Sequence, residues 1–536
     1  MVSAIGEDRT LVEMFQRLRA EHAERPAVVF RDQADRVLWT YADLGRNADA
    51  VANLLRSREI GKGERVVIWA PNRPWWVATL LGCMLAGVIV VPLDVNGTAE
   101  LARQVADLMQ ARLIVAGPDQ LRALGELDLP VVSIDDLPEL VASTPTSTSA
   151  RPAIDPDDLV EVVYTSGTTG HPRGVKINHR NLLANINALP AHLRGDSSYR
   201  MLSVLPLSHL FEQTVGFWYP LFNGARVVYP RSIQASTIFE ALSEEKITGM
   251  LVVPHVIALF YRAIEREVQR SGREKAWRVL HRIAPRLPFG LRRYLFRSVH
   301  RRLGGAFRFF VSGGAGLAPE LAQRWENMGV AVVQGYGLTE CSPVVAATSL
   351  TRRPVGAVGK PLACCEIRFA EDGEILVRGA NVTAGYWQDP SATADAFDDG
   401  WYRTGDFGRL DQDGYLHLRG RKKNLIVLGN GMNVYPEDIE AVLARNPAVR
   451  EAVVLGVPRG EADIEVQAVF VLHDEADPAA IVRDANRELA AHQRIRSGKV
   501  WPEQDFPRTP TMKVKRAEIA RYLDGCGAPT DAVGKE

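Results

Sequence analysis

The sequence predicts an α/β fold, with a large N-terminal domain of α/β subdomains and layered sheets ahead of a small C-terminal α+β domain. Three observations predict it. The chain has 536 residues, more than one hydrophobic core supports, so at least two domains are required. Its first half alternates helical and strand patterns, which points to buried sheets flanked by helices. Beyond residue 425, short strands surround a helix that starts at a proline, a unit of roughly a hundred residues.

Bulk composition narrows the function classes. Hydrophobic residues make up 46% and charged residues 24%, ordinary values for a globular protein. Lys+Arg and Asp+Glu number 64 each, so no global field favours nucleic acid, and none is expected as a partner. Cys83, Cys341, Cys364, Cys365 and Cys526 are too few and too scattered for a disulfide framework or a zinc knuckle. A reducing, cytoplasmic setting is expected. The opening MVSAIGEDRTLVEMF lacks the apolar core of a signal peptide.

The elements follow in order. Residues 40–56 read as a helix with Leu44, Ala48, Val51 and Leu55 on one face. Residues 65–70 read as a strand closed by Pro71-Asn72. Residues 75–93 carry no charge over nearly the length of a membrane span. The composition changes inside that stretch, however: 75–86 is helical, Gly87 interrupts, and 88–92 is strand-like. A buried helix–strand pair is therefore predicted. Residues 143–152, rich in Ser, Thr and Pro, form a surface loop or linker, and no solenoid repeat is present.

Residues 262–308 hold fourteen Lys/Arg against three Asp/Glu, interleaved with Trp277, Leu280, Leu291, Tyr294, Leu295, Phe296 and Val299. Two readings stand. One is a solvated helical face whose apolar side is core; the other is an amphipathic surface that meets anionic lipid, peripheral to a membrane.

The strand end Val162-Val163-Tyr164 leads into Thr165-Ser166-Gly167-Thr168-Thr169-Gly170-His171-Pro172-Arg173-Gly174. Its glycines let the backbone turn tightly and bring N–H groups close to a ligand. The hydroxyls add donors and Arg173 a fixed positive charge, a set suited to polyphosphate. No Gly-Lys-Ser/Thr follows at Walker spacing.

YTSGTTGHPRGV resembles the phosphate-binding signature of the adenylate-forming superfamily, which includes acyl-CoA synthetases, firefly luciferases and peptide-synthetase adenylation domains; Arg173 stands where that signature usually has Lys. The resemblance implies that Thr165, Ser166, Gly167, Thr168, Thr169, Gly170 and Arg173 hold the phosphates of ATP, with Thr165 a magnesium contact. The remaining signatures follow in family order. Pro206-Leu207-Ser208-His209-Leu210-Phe211-Glu212 resembles the segment whose aromatic residue, here His209, borders the substrate carboxylate, and its form is closest to long-chain fatty acyl-CoA synthetases. Phe309–Ala315 matches the turn whose glycines, Gly314 among them, flank the acyl channel and the adenine. In Gln334-Gly335-Tyr336-Gly337-Leu338-Thr339-Glu340, the resemblance places Gln334 and Gly335 among the nucleotide-binding residues, Tyr336 on the adenine, Thr339 at the α-phosphate and Glu340 on Mg²⁺.

Asp406, in Trp401-Tyr402-Arg403-Thr404-Gly405-Asp406, matches the carboxylate that holds the ribose hydroxyls, and Arg421 a contact to ribose or phosphate. Lys423 falls on the hinge about which the small domain moves, and Lys513 on the adenylation lysine, preceded by Met512 where a glycine is usual. The implied domains are 1–420, binding ATP and acid, and 421–536, a mobile lid carrying Lys513. The implied reaction joins a medium- or long-chain fatty acid to AMP and then to coenzyme A, using ATP and Mg²⁺. Two alternatives stand: a fatty acyl-AMP ligase that loads a carrier protein, and a non-catalytic acyl- or nucleotide-binding scaffold.

Overall fold

The structure, a computed structural model, describes residues 8–31, 36–145, 150–165, 172–429, 432–459, 463–508 and 514–523. The chain divides into two compact units, Met1–Ile367 with Val377–Tyr402, and Arg368–Leu376 with Arg403–Glu536.

The first unit is built on two large sheets. In the nine-stranded one, Ala331–Gly337, Phe309–Ser312, Gly249–Val252, Arg200–Leu202, Arg226–Tyr229 and Pro26–Arg31 lie side by side and all parallel. Antiparallel strands close both margins. The six-stranded sheet runs Val131–Ser133, Leu113–Ala116, Arg65–Trp69, Ile89–Pro92, Leu159–Thr165, Arg173–Asn178, parallel except for the last pair. Inner strands such as Ile89–Pro92 and Phe309–Ser312 are buried throughout, as parallel strands covered on both faces must be.

Local sequence accounts for the helices. Helix Tyr41–Ser57 begins at Thr40, whose hydroxyl accepts from the Asp43 amide while the Asp43 carboxylate accepts from the Thr40 amide. Such a reciprocal cap contributes about 1 kcal/mol. The predicted face, Leu44, Ala48, Val51 and Leu55, is buried. The charge-free stretch resolves as predicted. Helix Pro74–Ala86 is buried on nearly every side, Gly87 ends it at φ 70°, and strand Ile89–Pro92 follows. A helix apolar all round belongs in the interior of a large α/β unit. No helix among the described residues is long and apolar enough to cross a membrane.

The basic stretch 262–308 folds as helices Pro254–Arg270, Glu274–Ile283, Phe289–Leu295 and Arg297–Arg302. Phe296 and Val299 are buried in a core with Phe310 and Trp325, and Trp277, Leu280 and Leu295 pack against it. Leu291 and Tyr294 stay exposed.

In the second unit Val449–Arg459 pairs antiparallel with Asp463–Leu472, which pairs parallel with Ser497–Val500. The alternation of a strand is plain here: Val454 and Phe470 face helices Pro436–Leu443 and Pro478–Glu488, while Val453 and Val469 face helix Arg516–Leu523. Pro436 occupies the first helical turn, where its missing N–H costs nothing.

Candidate active site

Three of the predicted segments leave the carboxyl ends of parallel strands in one sheet, Ala331–Gly337 beside Phe309–Ser312 and Arg200–Leu202 one strand further along, beyond Gly249–Val252. Residues 203–211, with His209, follow Arg200–Leu202; Gly313-Gly314 follow Phe309–Ser312; and Thr339-Glu340 follow Ala331–Gly337. Ligands of open α/β sheets bind outside the carboxyl ends of their strands. Ser312 is paired in register with Gln334, which sets the Gly313-Gly314 turn beside Gln334-Gly335. Gly314 adopts φ 79°, a conformation a side chain would strain, and Phe211 lies directly against Gly313. Tyr336 is buried within its strand.

The turn after that strand is fixed by close approach. The Pro343 carbonyl fills the space a side chain at Gly337 would need. Buried Asn185 and Asn381 both donate to the carbonyls of Cys341 and Val344, at 3.0–3.2 Å, and the Thr383 amide donates to the Glu340 carbonyl at 2.8 Å. These bonds hold the short helical turn Thr339–Cys341 from two distant parts of the chain, residue 185 and residues 381–383.

Thr165 and Arg173 are register partners at the mouth of a hairpin; Ser166, Gly167, Thr168, Thr169 and Gly170 lie outside the described residues. Tyr386 connects this hairpin to the turn. Its backbone bridges Val175, its ring lies under the Arg173 guanidinium at 5.6 Å, and its hydroxyl donates to Glu340 Oε1 at 3.1 Å. One aromatic side chain thus holds the carboxylate and faces the fixed cation.

His209 Nε2 lies 2.9 Å from Asp94 Oδ2. Asp94 follows strand Ile89–Pro92 of the other sheet, so the pair joins the carboxyl ends of the two sheets. Burial pushes the Asp94 carboxyl up, but the His209 and Asn96 hydrogen bonds outweigh it and hold it below the usual range. An ionised Asp94 takes the Nε2 proton as acceptor and fixes the ring's tautomer.

Behind His209 the chain makes a π-helical turn, Glu212–Trp218, a feature frequent at functional sites. Glu212 is fully buried, and burial lifts its carboxyl to about 8, with Ser203 and the Leu205 amide acting the other way. The carboxyl occupies the space left by the missing side chain of Gly216. Next to it, Gln213 donates to buried Glu161 at 3.0 Å, whose carboxyl burial lifts to about 7. In the unfolded chain a glutamate ionises near 4.5; the folded chain keeps Glu212 protonated to about 8. Between those values only the unfolded state gains by ionising, so stability falls as pH rises and levels off above about 8. Glu212→Gln is therefore expected to melt a few degrees higher than the parent near pH 8 and close to it near pH 5. Thermal melts at the two pH values check this, and a pH-independent difference would contradict it.

In the second unit, Asp406 is opposite Arg421 in the ladder of Trp401–Leu410 with Leu416–Arg421. Arg421 Nε lies 3.0 Å from Asp406 Oδ1, and the aspartate side chain is only 5% exposed. Burial and the neighbouring Arg421 pull the Lys423 ammonium below its usual range. Lys513 lies outside the described residues.

Sequence reading missed Asp94, Tyr386, Asn185 and Asn381. Asp94 had a signal, a carboxylate just past a buried strand; the other three gain their roles only through distant partners. A cation beside Glu340 suits the donors present. Among the described residues no three His, Cys, Asp or Glu gather, and Mg²⁺ needs no such cage, since one carboxylate with nucleotide phosphates suffices.

The model of the AMP-binding enzyme family matches residues 15–387, and that of the AMP-binding enzyme C-terminal domain matches residues 423–524. A long-chain-fatty-acid–CoA ligase of Mycobacterium bovis is 30% identical, over 93% of this chain and 96% of its own. A sulfoacetate–CoA ligase of Cupriavidus necator is also 30% identical, over 96% and 98%. The crystal structure of ATP-bound MatB from Rhodopseudomonas palustris matches with a TM-score of 0.81 at 25% identity, over 96% of this chain and 100% of that one. With both family models matched along its length, this chain belongs to the AMP-binding enzymes of the adenylate-forming superfamily, and among them to the acid–CoA ligases.

Proposed function

We propose that the enzyme activates a medium- or long-chain fatty acid with ATP to an acyl adenylate and transfers the acyl group to coenzyme A. The observation that carries this reading is the gathering of His209, Gly314 and Thr339-Glu340 at one sheet edge, with Tyr386 tying Glu340 to Arg173. In the first half-reaction a carboxylate oxygen attacks the α-phosphorus, and pyrophosphate leaves with the bonding electrons. Negative charge shifts onto the phosphates as it goes. Arg173 and Lys513 are the cations assigned to it, since preorganised charges need no reorganisation during reaction. Glu340, with the Thr165 hydroxyl, would hold Mg²⁺, which neutralises phosphate charge when bound.

The nucleotide contacts divide by moiety. The loop 165–174 holds the β and γ phosphates, Thr339 the α-phosphate and Tyr336 the adenine, with Gln334 and Gly335 also at the nucleotide; Asp406 holds the ribose and Arg421 the ribose or phosphate. His209, oriented by Asp94, borders the substrate carboxylate. In the second half-reaction the coenzyme A thiol attacks the acyl carbonyl, loses its proton, and AMP departs. Residues 1–420 then act as the ATP- and acid-binding domain and 421–536 as the lid that brings and removes Lys513. A cytoplasmic location fits this chemistry.

The choice of a fatty acid rests on the surroundings of the glycine turn. Phe211 lies against Gly313 and Val253 against Gly314, apolar groups that suit a methylene chain. The fatty-acid ligase relative supports the same choice. The test is to incubate the protein with ATP, Mg²⁺ and a ladder of fatty acids, alongside sulfoacetate and ferulate, with and without coenzyme A. Mass spectrometry then reads the products. Acyl-CoA from part of the fatty-acid ladder is expected. Thioester from sulfoacetate or ferulate alone would overturn the substrate class, acyl-AMP that accumulates despite coenzyme A would make the enzyme a ligase serving a carrier protein, and no product from any acid would favour the scaffold.

A further inference from the structure

We infer that the outward face of helix Glu274–Ile283 docks the enzyme on an anionic lipid bilayer. This surface is separate from the reaction chemistry and rests on its own observations. The helix has two unlike sides. Trp277, Leu280 and His281 turn inward, with the Trp277 and His281 rings 5.4 and 5.1 Å from the buried Phe296 ring. Lys275, Arg278, Val279, Arg282 and Ile283 recur at helical spacing on the other side and are exposed. Arg286 follows, exposed as well. In the next helix, Phe289–Leu295, Leu291 and Tyr294 are likewise 52% and 65% exposed, with the Arg297 guanidinium 5.4 Å from the Tyr294 ring.

The charges on this face are uncommitted. Residues 273–286 carry five Lys/Arg and one Asp/Glu. Neighbouring Arg302 and Arg324 pair with Glu267 and Glu265 at 3.5 Å, whereas Lys275, Arg278, Arg282 and Arg286 have no carboxylate partner among the described residues. The whole chain is electrically balanced, so this concentration is offset elsewhere. A balanced molecule with one strongly basic face meets a negative surface in one orientation.

Charge alone would suit any polyanion. The apolar side chains decide between them. Val279, Ile283, Leu291 and Tyr294 stand in water among the arginines, and burying them is favourable only in an apolar medium. A nucleic-acid backbone offers phosphate but no such medium. An anionic bilayer offers both: headgroup phosphates for guanidinium groups and, a few ångströms deeper, acyl chains for Val279 and Ile283.

Full-length protein should co-sediment with phosphatidylcholine vesicles containing phosphatidylglycerol, dissociate as salt rises, and ignore pure phosphatidylcholine vesicles. The triple variant Arg278→Glu/Arg282→Glu/Arg286→Glu should lose roughly a hundredfold in affinity. Val279→Ser/Ile283→Ser should still bind at low salt but release at a lower salt concentration than the parent. All three positions of the first variant and both of the second are exposed, and melting temperature in solution confirms that each variant is folded. Equal binding to neutral vesicles would overturn the proposal. So would unchanged binding by the triple variant, or a duplex DNA oligonucleotide bound as tightly as the anionic vesicles at the same salt.

Discussion

Lys513→Ala is expected to lower fatty-acid-dependent ATP–pyrophosphate exchange by roughly 10²–10³-fold while preformed acyl-AMP still passes to coenzyme A. The asymmetry follows from where charge develops. In the first half-reaction a carboxylate meets a polyphosphate, and two anions must approach before a third, pyrophosphate, departs. A cation placed at that point stabilises the transition state more than the bound reactants, and loss of one such group costs about the factor stated. In the second half-reaction the adenylate is already a mixed anhydride with a good leaving group, so the lysine has little left to do. Measuring the two half-reactions separately checks this. Equal loss in both would count against the role, and equal retention would remove Lys513 from the chemistry.

Asp406→Ala is expected to depress both half-reactions, each on the order of a hundredfold. The aspartate stands within a β-ladder opposite Arg421 and is 5% exposed, so its carboxylate is held in place before any nucleotide arrives. In the proposed assignment, ribose hydroxyls positioned by it would fix the α-phosphorus in the first step and the acyl carbonyl in the second, because ATP and the acyl adenylate share the AMP moiety. Its removal leaves the Arg421 guanidinium without that ion pair. Asp406→Asn, of the same size, separates charge from shape, and melting temperature confirms folding. A second half-reaction at parental rate would contradict the assignment.

The parts of the molecule legible in the sequence are those written locally. Leu44, Ala48, Val51 and Leu55 announce their helix because residues three and four apart share one face. Gly87 separates a buried helix from a buried strand because only a residue tolerant of positive φ ends a helix so abruptly. The motifs that carry His209, Gly314 and Glu340 are short and local, and each of the three lies in the connector that follows a parallel strand. What escaped depends on partners far along the chain. Asp94 gains its partner His209 from 115 positions away, and Tyr386 reaches Glu340 across 46. The amides of Asn185 and Asn381 converge on the same two carbonyls from opposite sides of the sequence. The π-helical turn that buries Glu212 was equally hidden, since one extra residue in a turn leaves no periodic trace. The basic stretch was legible in composition, but only the fold divides its apolar residues into Phe296, which is core, and Tyr294, which is not.

The placement of His209, Gly314 and Glu340 on connectors, with the strands themselves sealed inside, has an evolutionary consequence. Mutations in the strands are filtered for packing, whereas those in the connectors, to which the proposed function assigns the substrate contacts, are free to alter what the edge accepts. A lineage can then drift from one acid to another by changing a few connector residues, without passing through an unfolded ancestor. Relatives equally distant from this chain are ligases of such unlike acids as long-chain fatty acids and sulfoacetate. A frame that separates heritable stability from heritable specificity is well suited to such diversification.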